Sequence, residues 1–185
     1  MRFTLHYRGP LRATGDPSHK HELRRVFHAQ LAVLWQQAPL VGEPKLLHPP
    51  GKAGEFSSLR PLGAFSFVPL ATEEMKVVAE LAIVMLRPGP IGQIITQGGD
   101  IDNRLKTLFD ALAKPPHLNA IPTAVGPGPS ETPFFCLLED DKLITSVSVR
   151  TDQLLESVSD QAEVDLSIQV RIRAVVHLWG NGMFQ

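Results

Sequence analysis

The chain has 185 residues, of which 43% are hydrophobic and 20% are charged, and its formal net charge is −1. This length suits one domain with its own core, and the composition excludes disorder over most of the chain. No apolar run approaches the roughly 18 residues of a membrane span, and the alternating first residues do not resemble a signal peptide. The single cysteine, Cys136, excludes an internal disulfide. We therefore expect a soluble, cytoplasmic protein with a buried, inert thiol and no membrane partner.

Charge is distributed unevenly along the chain. Residues 1–60 contain nine Lys/Arg and four Asp/Glu, a balance of +5, whereas residues 61–185 contain nine and fifteen, a balance of −6. A basic N-terminal part and an acidic remainder suit a protein that binds phosphates on one side and a metal ion on the other. Ordinary scatter of charge explains the same numbers equally well.

The first helix is predicted by a capping signal followed by helical periodicity. Asp16 can cap the helix, and Pro17 suits its first position. The apolar residues that recur at spacings of three and four are Leu23, Val26, Phe27, Leu31, Leu34 and Trp35. Arg24, Arg25 and His28 are expected to lie away from this apolar face.

Strands are predicted where apolar residues alternate or run continuously. Residues 3–7 alternate, and residues 164–173 give five clean alternations, typical of a sheet with one wet face. Residues 75–86 are apolar on both parities, which predicts a central strand covered on both sides. Residues 142–149 predict a further strand, and residues 152–158 a short helix.

A second helix is predicted to follow Asp102. Its apolar face consists of Leu105, Leu108, Phe109 and Leu112. A purely structural interpretation makes Asp102 the N-cap, pairs Lys106 with Asp110 one turn later, and leaves Asp100 in solvent. In extended chain, however, residues two apart point to one side, so Asp100 and Asp102 would converge. A divalent cation between them would relieve their repulsion.

Two Pro- and Gly-rich segments, residues 38–63 and residues 115–133, are predicted to be long loops. A loop of about 19 residues inside a compact domain is usually functional or disordered. The element order β-α-β-α-β-β and the antiparallel style of alternation predict an α+β fold. We expect one domain with a mixed β-sheet and helices packed mainly on one face.

A further pair of carboxylates, Asp140 and Asp141, precedes the strand predicted at residues 142–149. Asp141 shares its parity with Leu143 and Val147, which places it on the more apolar side of that strand. A carboxylate on the inward side of a strand is costly unless it is paired or binds a metal ion. Taken alone, an Asp-Asp pair is more typical of a turn.

The joint pattern of the two acidic stretches resembles one family. It reads Gly99-Asp100-Ile101-Asp102-Asn103-x-x-Lys106-x-x-x-Asp110-Ala111-Leu112, followed by Asp140-Asp141-x-x-Ile144. This pattern is similar to that of the RusA-like Holliday-junction resolvases. The resemblance implies a RusA-like domain over residues 1–185. It also implies a homodimeric, Mg²⁺-dependent endodeoxyribonuclease of DNA recombination and repair, with Mn²⁺ as a substitute metal.

The resemblance also implies roles for individual residues. The metal-binding carboxylates would be Asp100, Asp102 and Asp141, and Lys106 would complete the catalytic set. The supporting residues would be Asn103, Asp110 and Asp140. The loop at residues 115–133 is longer than the usual link in the family, which indicates a lid or partner surface.

Three basic residues of the first helix are candidates for DNA-backbone contacts, independently of the resemblance: Lys20, Arg24 and Arg25. The alternative for them is an ordinary solvated helix face.

Two other functions fit the same residues. One is a non-catalytic nucleic-acid- or protein-binding module in which the acidic cluster has a structural role; the near-neutral charge and the long loop favour it. The other is a hydrolase that uses the same metal on a nucleotide or another phosphoester.

Overall fold

The computed structural model of the chain describes residues 1–52, 55–89, 101–176, 178 and 181–184. These residues form two α-helices and seven β-strands, which confirms the predicted α+β class. In chain order the elements are β1 (Arg2–Pro10), α1 (Pro17–Trp35), β2 (Arg60–Leu62), β3 (Phe65–Ala71), β4 (Val77–Arg87), α2 (Ile101–Leu112), β5 (Phe134–Leu138), β6 (Ile144–Gln153) and β7 (Glu163–Ala174). Neither helix is long and apolar enough to cross a membrane.

The larger sheet has four strands in the order β1-β7-β4-β6. β7 pairs antiparallel with β1 and β4, and β4 pairs parallel with β6. The alternation predicted for β7 is confirmed, since its apolar parity is buried and its polar parity is more exposed. β4 is central, as predicted, but it is not covered on both sides. Val84 on its outer face is 38% exposed.

A second, smaller sheet was not predicted. It has the order β2-β3-β5, with β3 parallel to β5. Phe67 and Phe134 are fully buried in it, beside Cys136. Cys136 is buried, as predicted, and burial raises the pKa of its thiol to about 12, which disfavours the reactive thiolate. The short apolar runs of β3 and β5 lack the alternation that identifies a half-exposed strand, because both strands are buried.

Helix α1 begins as predicted, because the Asp16 side chain accepts a hydrogen bond from the His19 N–H at 2.8 Å and Pro17 follows. Its apolar face is buried at Leu23, Phe27 and Leu31. The prediction that Arg24 and His28 lie away from the core is wrong. They are 2% and 4% exposed, because the smaller sheet and α2 cover a second face of the helix.

The two predicted loops are shorter or more ordered than expected. The first contains 3-10 turns at Leu40–Gly42 and Pro44–Leu47 and ends where β2 begins at Arg60. The second contains a 3-10 turn at Leu118–Ala120, and its Glu131 side chain is buried. The helix predicted at residues 152–158 is wrong, since β6 continues through Gln153 and no helix follows.

Candidate functional site

Helix α2 presents a polar face next to its buried apolar face. Leu108 and Leu112 are buried, while Leu105 and Phe109 pack against the core from the edge, as predicted. Asp102, Asn103 and Lys106 are exposed. Asp102, Lys106 and Asp110 are spaced by four and therefore share one side of the helix.

The predicted capping role of Asp102 is wrong. The helix begins at Ile101, so Asp102 lies inside its first turn. Asp100, together with the preceding Gly98-Gly99, lies outside the described residues. The predicted convergence of Asp100 and Asp102 requires extended backbone at both residues, whereas Asp102 is helical. Asp102 remains well placed to interact with the positive end of the helix dipole.

Asp110 pairs with Lys20 of α1, not with Lys106 as the structural interpretation predicted. Lys20 Nζ lies 2.7 Å from Asp110 Oδ2, and both side chains are about a third exposed. The partner comes from 90 positions away, so no local spacing rule could identify it. Asp102 and Asp110 are separated by roughly 12 Å along the helix, at 1.5 Å per residue. Asp110 is therefore too far along the helix to bind the same ion as Asp102.

The Asp140–Asp141 pair forms a turn instead of the start of a strand. A 3-10 turn spans Asp141–Leu143, and the Asp140 side chain caps it by accepting the Lys142 N–H at 3.0 Å. The inward placement predicted for Asp141 is wrong, because this turn breaks the parity before β6 begins at Ile144. Both carboxylates are exposed. They need no buried partner and are accessible to a cation from solvent.

A cavity of about 440 Å³ joins parts of both acidic stretches. Asp110 from α2 and the Asp140–Asp141 turn line it together with Lys20 and Arg24 of α1. Asp102 and Lys106 are not among its lining residues. The cavity also has lining residues that the sequence predictions missed: Lys114, Pro116, His117, Ala120 and Glu139. The segment Lys114-Pro115-Pro116-His117 carries a helix-stop signal, but nothing in it indicates a cavity wall.

The three predicted DNA-backbone contacts all have partners within the chain. Arg24 is buried and donates to the backbone carbonyls of Ala113 and Asp110 at 3.0 and 2.7 Å. Arg25 donates two hydrogen bonds to the Glu131 carboxylate, at 2.7 and 3.2 Å, and Lys20 pairs with Asp110. Arg24 does not lie on a solvated helix face, which was the alternative for these residues, because its side chain is buried. Arg25 and Lys20 could contact phosphate only while sharing their charge with a carboxylate.

The buried Glu131 makes a testable contribution to stability. Burial alone would raise its pKa, but the Gly128 N–H at 2.7 Å and the Arg25 guanidinium outweigh burial and hold the pKa below its ordinary value of 4.5. A depressed folded-state pKa means that the carboxylate stabilises the fold above pH 4.5 and that this stabilisation disappears as the pH falls through the folded-state value.

We therefore expect Glu131→Gln to lower the free energy of unfolding at pH 7 by about 1–3 kcal/mol, because a charge-assisted bidentate contact is lost. The difference from the native protein should shrink below pH 4.5. Denaturant titration across pH measures both, with Glu22→Gln on the exposed side of α1 as the matched control. An unchanged stability at pH 7 would contradict the assignment.

The carboxylates fit a hard cation in chemistry but form an incomplete set. Exposed Asp102 and Asp141 offer the oxygen donors that Mg²⁺ prefers. Within the part of the chain that the structure describes, however, no three His, Cys, Asp or Glu side chains are grouped so that they could hold a metal ion. The predicted third carboxylate is Asp100, which lies outside that part. A metal site that uses these residues therefore depends on Asp100.

Comparison with protein-family models, curated proteins and solved structures finds no match for this chain. The resemblance to RusA-like resolvases therefore depends only on the residues of the two acidic stretches.

Proposed function

We propose that this chain is a Mg²⁺-dependent endodeoxyribonuclease that hydrolyses phosphodiester bonds in branched DNA such as Holliday junctions. The observation that supports it most directly is the cavity where Asp110 of α2 meets the Asp140–Asp141 turn. The two acidic stretches are separated by 27 intervening residues between Leu112 and Asp140, yet Asp110 of the first stretch lines one cavity with the Asp140–Asp141 turn of the second. This proximity agrees with the family-like pattern.

Each residue has a role in this proposal. Asp100, Asp102 and Asp141 would hold Mg²⁺ or Mn²⁺, which supplies charge neutralisation and an activated water. The exposed Lys106, one turn beyond Asp102, can stabilise negative charge on the attacked phosphate. Asp110 supports the site by fixing Lys20 and so joining the two helices.

A second candidate is a non-catalytic binding module on the same fold. One observation favours it: Lys20, Arg24 and Arg25 are all engaged within the chain, so the predicted DNA-binding stripe is already partnered. In that case, the acidic cluster would have a structural role, such as the capping of the 3-10 turn by Asp140.

Cleavage assays separate the two candidates. Purified protein is incubated with end-labelled four-way junctions, linear duplex and flaps, in Mg²⁺, in Mn²⁺ and in EDTA. We expect metal-dependent nicks in the junction, placed symmetrically about its centre if two subunits act together, and a mass in solution equal to two chains. A protein that binds DNA but cuts no substrate in either metal, even at high concentration, would favour the binding module.

A further inference from the structure

Arg24 is a buried cation without a carboxylate partner. Its side chain is 2% exposed, and two of its nitrogens donate to backbone carbonyls of the α2 end. Its Nη1 atom is buried and has no hydrogen-bond partner. Burial lowers the pKa of Arg24 to about 10, so the guanidinium remains charged at neutral pH. A buried charge without a carboxylate partner is costly, and an anion in the cavity that Arg24 lines would offset part of that cost through its negative charge.

Two lysines also line the cavity. Lys20 and Lys114 are partly buried, and the exposed His117 is a further lining residue. Lys20 shares its charge with Asp110, whereas Lys114 has no ion pair with any residue that the structure describes. Arg24 and Lys114 are therefore two cationic groups of the lining that have no carboxylate partner among the described residues. An anion with two negative charges would balance them.

Carboxylates line the same cavity. Asp140 and Asp141 are exposed, and neither forms an ion pair within the described residues. Glu139, which also lines the cavity, is already paired with Arg60 at 2.6 Å. A cavity lined by two cationic groups and two carboxylates without ion-pair partners suits an anion that arrives with a divalent counter-ion. Its volume of about 440 Å³ is in the range of small-ligand pockets.

We infer that this cavity binds a phosphomonoester, either the terminal phosphate of a nucleic-acid strand or the phosphate of a free nucleotide. A phosphomonoester carries nearly two negative charges and three acceptor oxygens at neutral pH, whereas an internal phosphodiester carries one charge. The two positive charges of the buried Arg24 and the half-buried Lys114 match a phosphomonoester better than a phosphodiester. The inference rests on the proposed function only in taking nucleic acid as one source of the phosphate.

Fluorescence anisotropy with a 3′-labelled single-stranded 12-mer tests the inference. The same strand is compared with a 5′-phosphate and with a 5′-hydroxyl, in EDTA and in Ca²⁺, and its integrity is checked on a gel. We expect the 5′-phosphorylated strand to bind at least about tenfold more tightly in at least one buffer, since hydrogen bonds between charged groups are the strong ones. Equal affinities for both strands in both buffers would overturn the inference.

Lys114→Gln distinguishes phosphate binding in the cavity from general electrostatic attraction to DNA. It should remove most of the preference for the 5′-phosphate and leave the affinity for the 5′-hydroxyl strand unchanged. Lys52→Gln, an exposed lysine outside the cavity, is the matched control and should change neither. If Lys114→Gln weakens both strands equally, Lys114 is an ordinary backbone contact and the inference fails. Arg24→Lys should also lower the preference for the 5′-phosphorylated strand, and thermal unfolding checks that this variant is folded.

The source of the phosphate and the proposed function are tested separately. Competition by a deoxynucleoside monophosphate at micromolar concentration identifies a free nucleotide as a ligand; competition only by a 5′-phosphorylated oligonucleotide identifies a strand end. Phosphate-dependent binding without metal-dependent cleavage would support the cavity and contradict the nuclease. Cleavage without any preference for the phosphorylated end would contradict the cavity alone.

Discussion

We expect Asp102→Asn to lower the proposed metal-dependent cleavage by more than about a hundredfold, while the protein stays folded. A neutral amide oxygen is a weaker ligand for a hard cation than a carboxylate, and even the outer partners of metal ligands change activity by about 10–100-fold. The cost in stability should be small, about 0.3–1 kcal/mol. Asp102 is exposed in the first turn of α2, where its charge interacts with the helix dipole.

The matched control is Asp160→Asn. Asp160 is exposed, and its carboxylate accepts the Ala162 N–H at 2.8 Å, a bond that asparagine can also accept. Initial cleavage rates over a Mg²⁺ series, with thermal unfolding of each variant, measure both effects. Cleavage by Asp102→Asn within a few-fold of the native rate would place the metal elsewhere and return Asp102 to a helix-stabilising role.

The elements that could be predicted from sequence are those whose evidence is local. Asp16-Pro17 and the apolar spacing after it define α1 without reference to any other part of the chain. The alternation of β7 similarly fixes which parity is buried. Both elements were correctly predicted because apolar residues recur at regular spacing in a surface helix and in a half-exposed strand.

The second face of α1 could not be predicted, because it depends on a sheet formed by distant segments. Arg24 and His28 look like solvent-facing residues by type, and they are buried only because α2 and β5 supply carbonyl and amide partners. Periodicity identifies apolar surface; it does not identify polar side chains whose hydrogen bonds are made across the core.

Only part of the grouping implied by the family resemblance is seen at the cavity. The resemblance grouped Asp110 with the Asp140–Asp141 pair, and these residues line one cavity, whereas Asp102 and Lys106 do not. Spacing misplaced Asp141, since three residues of 3-10 turn are enough to break the parity of a strand. It also missed the Lys20–Asp110 pair, whose partners are joined only by the packing of the two helices.

Two of the three buried histidines on α1, His21 and His28, differ in the hydrogen bonds of their rings and can therefore be compared as a matched pair. His28 Nδ1 accepts the Phe135 N–H at 2.8 Å, and its Nε2 lies 3.0 Å from the Ser130 carbonyl, to which it donates. His21 is equally buried, with its ring against Phe65 and Phe134, but neither ring nitrogen has a hydrogen-bond partner. The imidazole of His21 therefore acts as an apolar side chain, whereas that of His28 connects two backbone segments.

We expect His21→Leu to change the dependence of stability on pH more than the stability at pH 7. Burial, with Arg24 and Arg25 nearby, lowers the pKa of His21 to about 4 from the ordinary value of 6.5. Between these values the unfolded chain binds a proton that the folded chain does not, so the free energy of unfolding falls as the pH falls from 6.5 to 4. The loss amounts to about 3 kcal/mol. The leucine variant should lack it and stay within about 1.5 kcal/mol of the native stability at pH 7.

We expect His28→Leu to lower the stability at pH 7 and to leave the dependence of stability on pH unchanged. It leaves the Phe135 N–H and the Ser130 carbonyl without their partner, which costs about 1–3 kcal/mol for each group left unsatisfied. It retains His21, so the loss of stability between pH 6.5 and pH 4 should persist.

Denaturant titrations of the native protein and both variants at pH 7, 6, 5 and 4 give the comparison, and subtracting the native curve removes the contribution of all other titrating groups. Equal pH dependence in the native protein and His21→Leu would show that the His21 ring is protonated, or solvated, in the folded chain. In that case, the second buried face of α1 would be open to water at the point where the smaller sheet covers it.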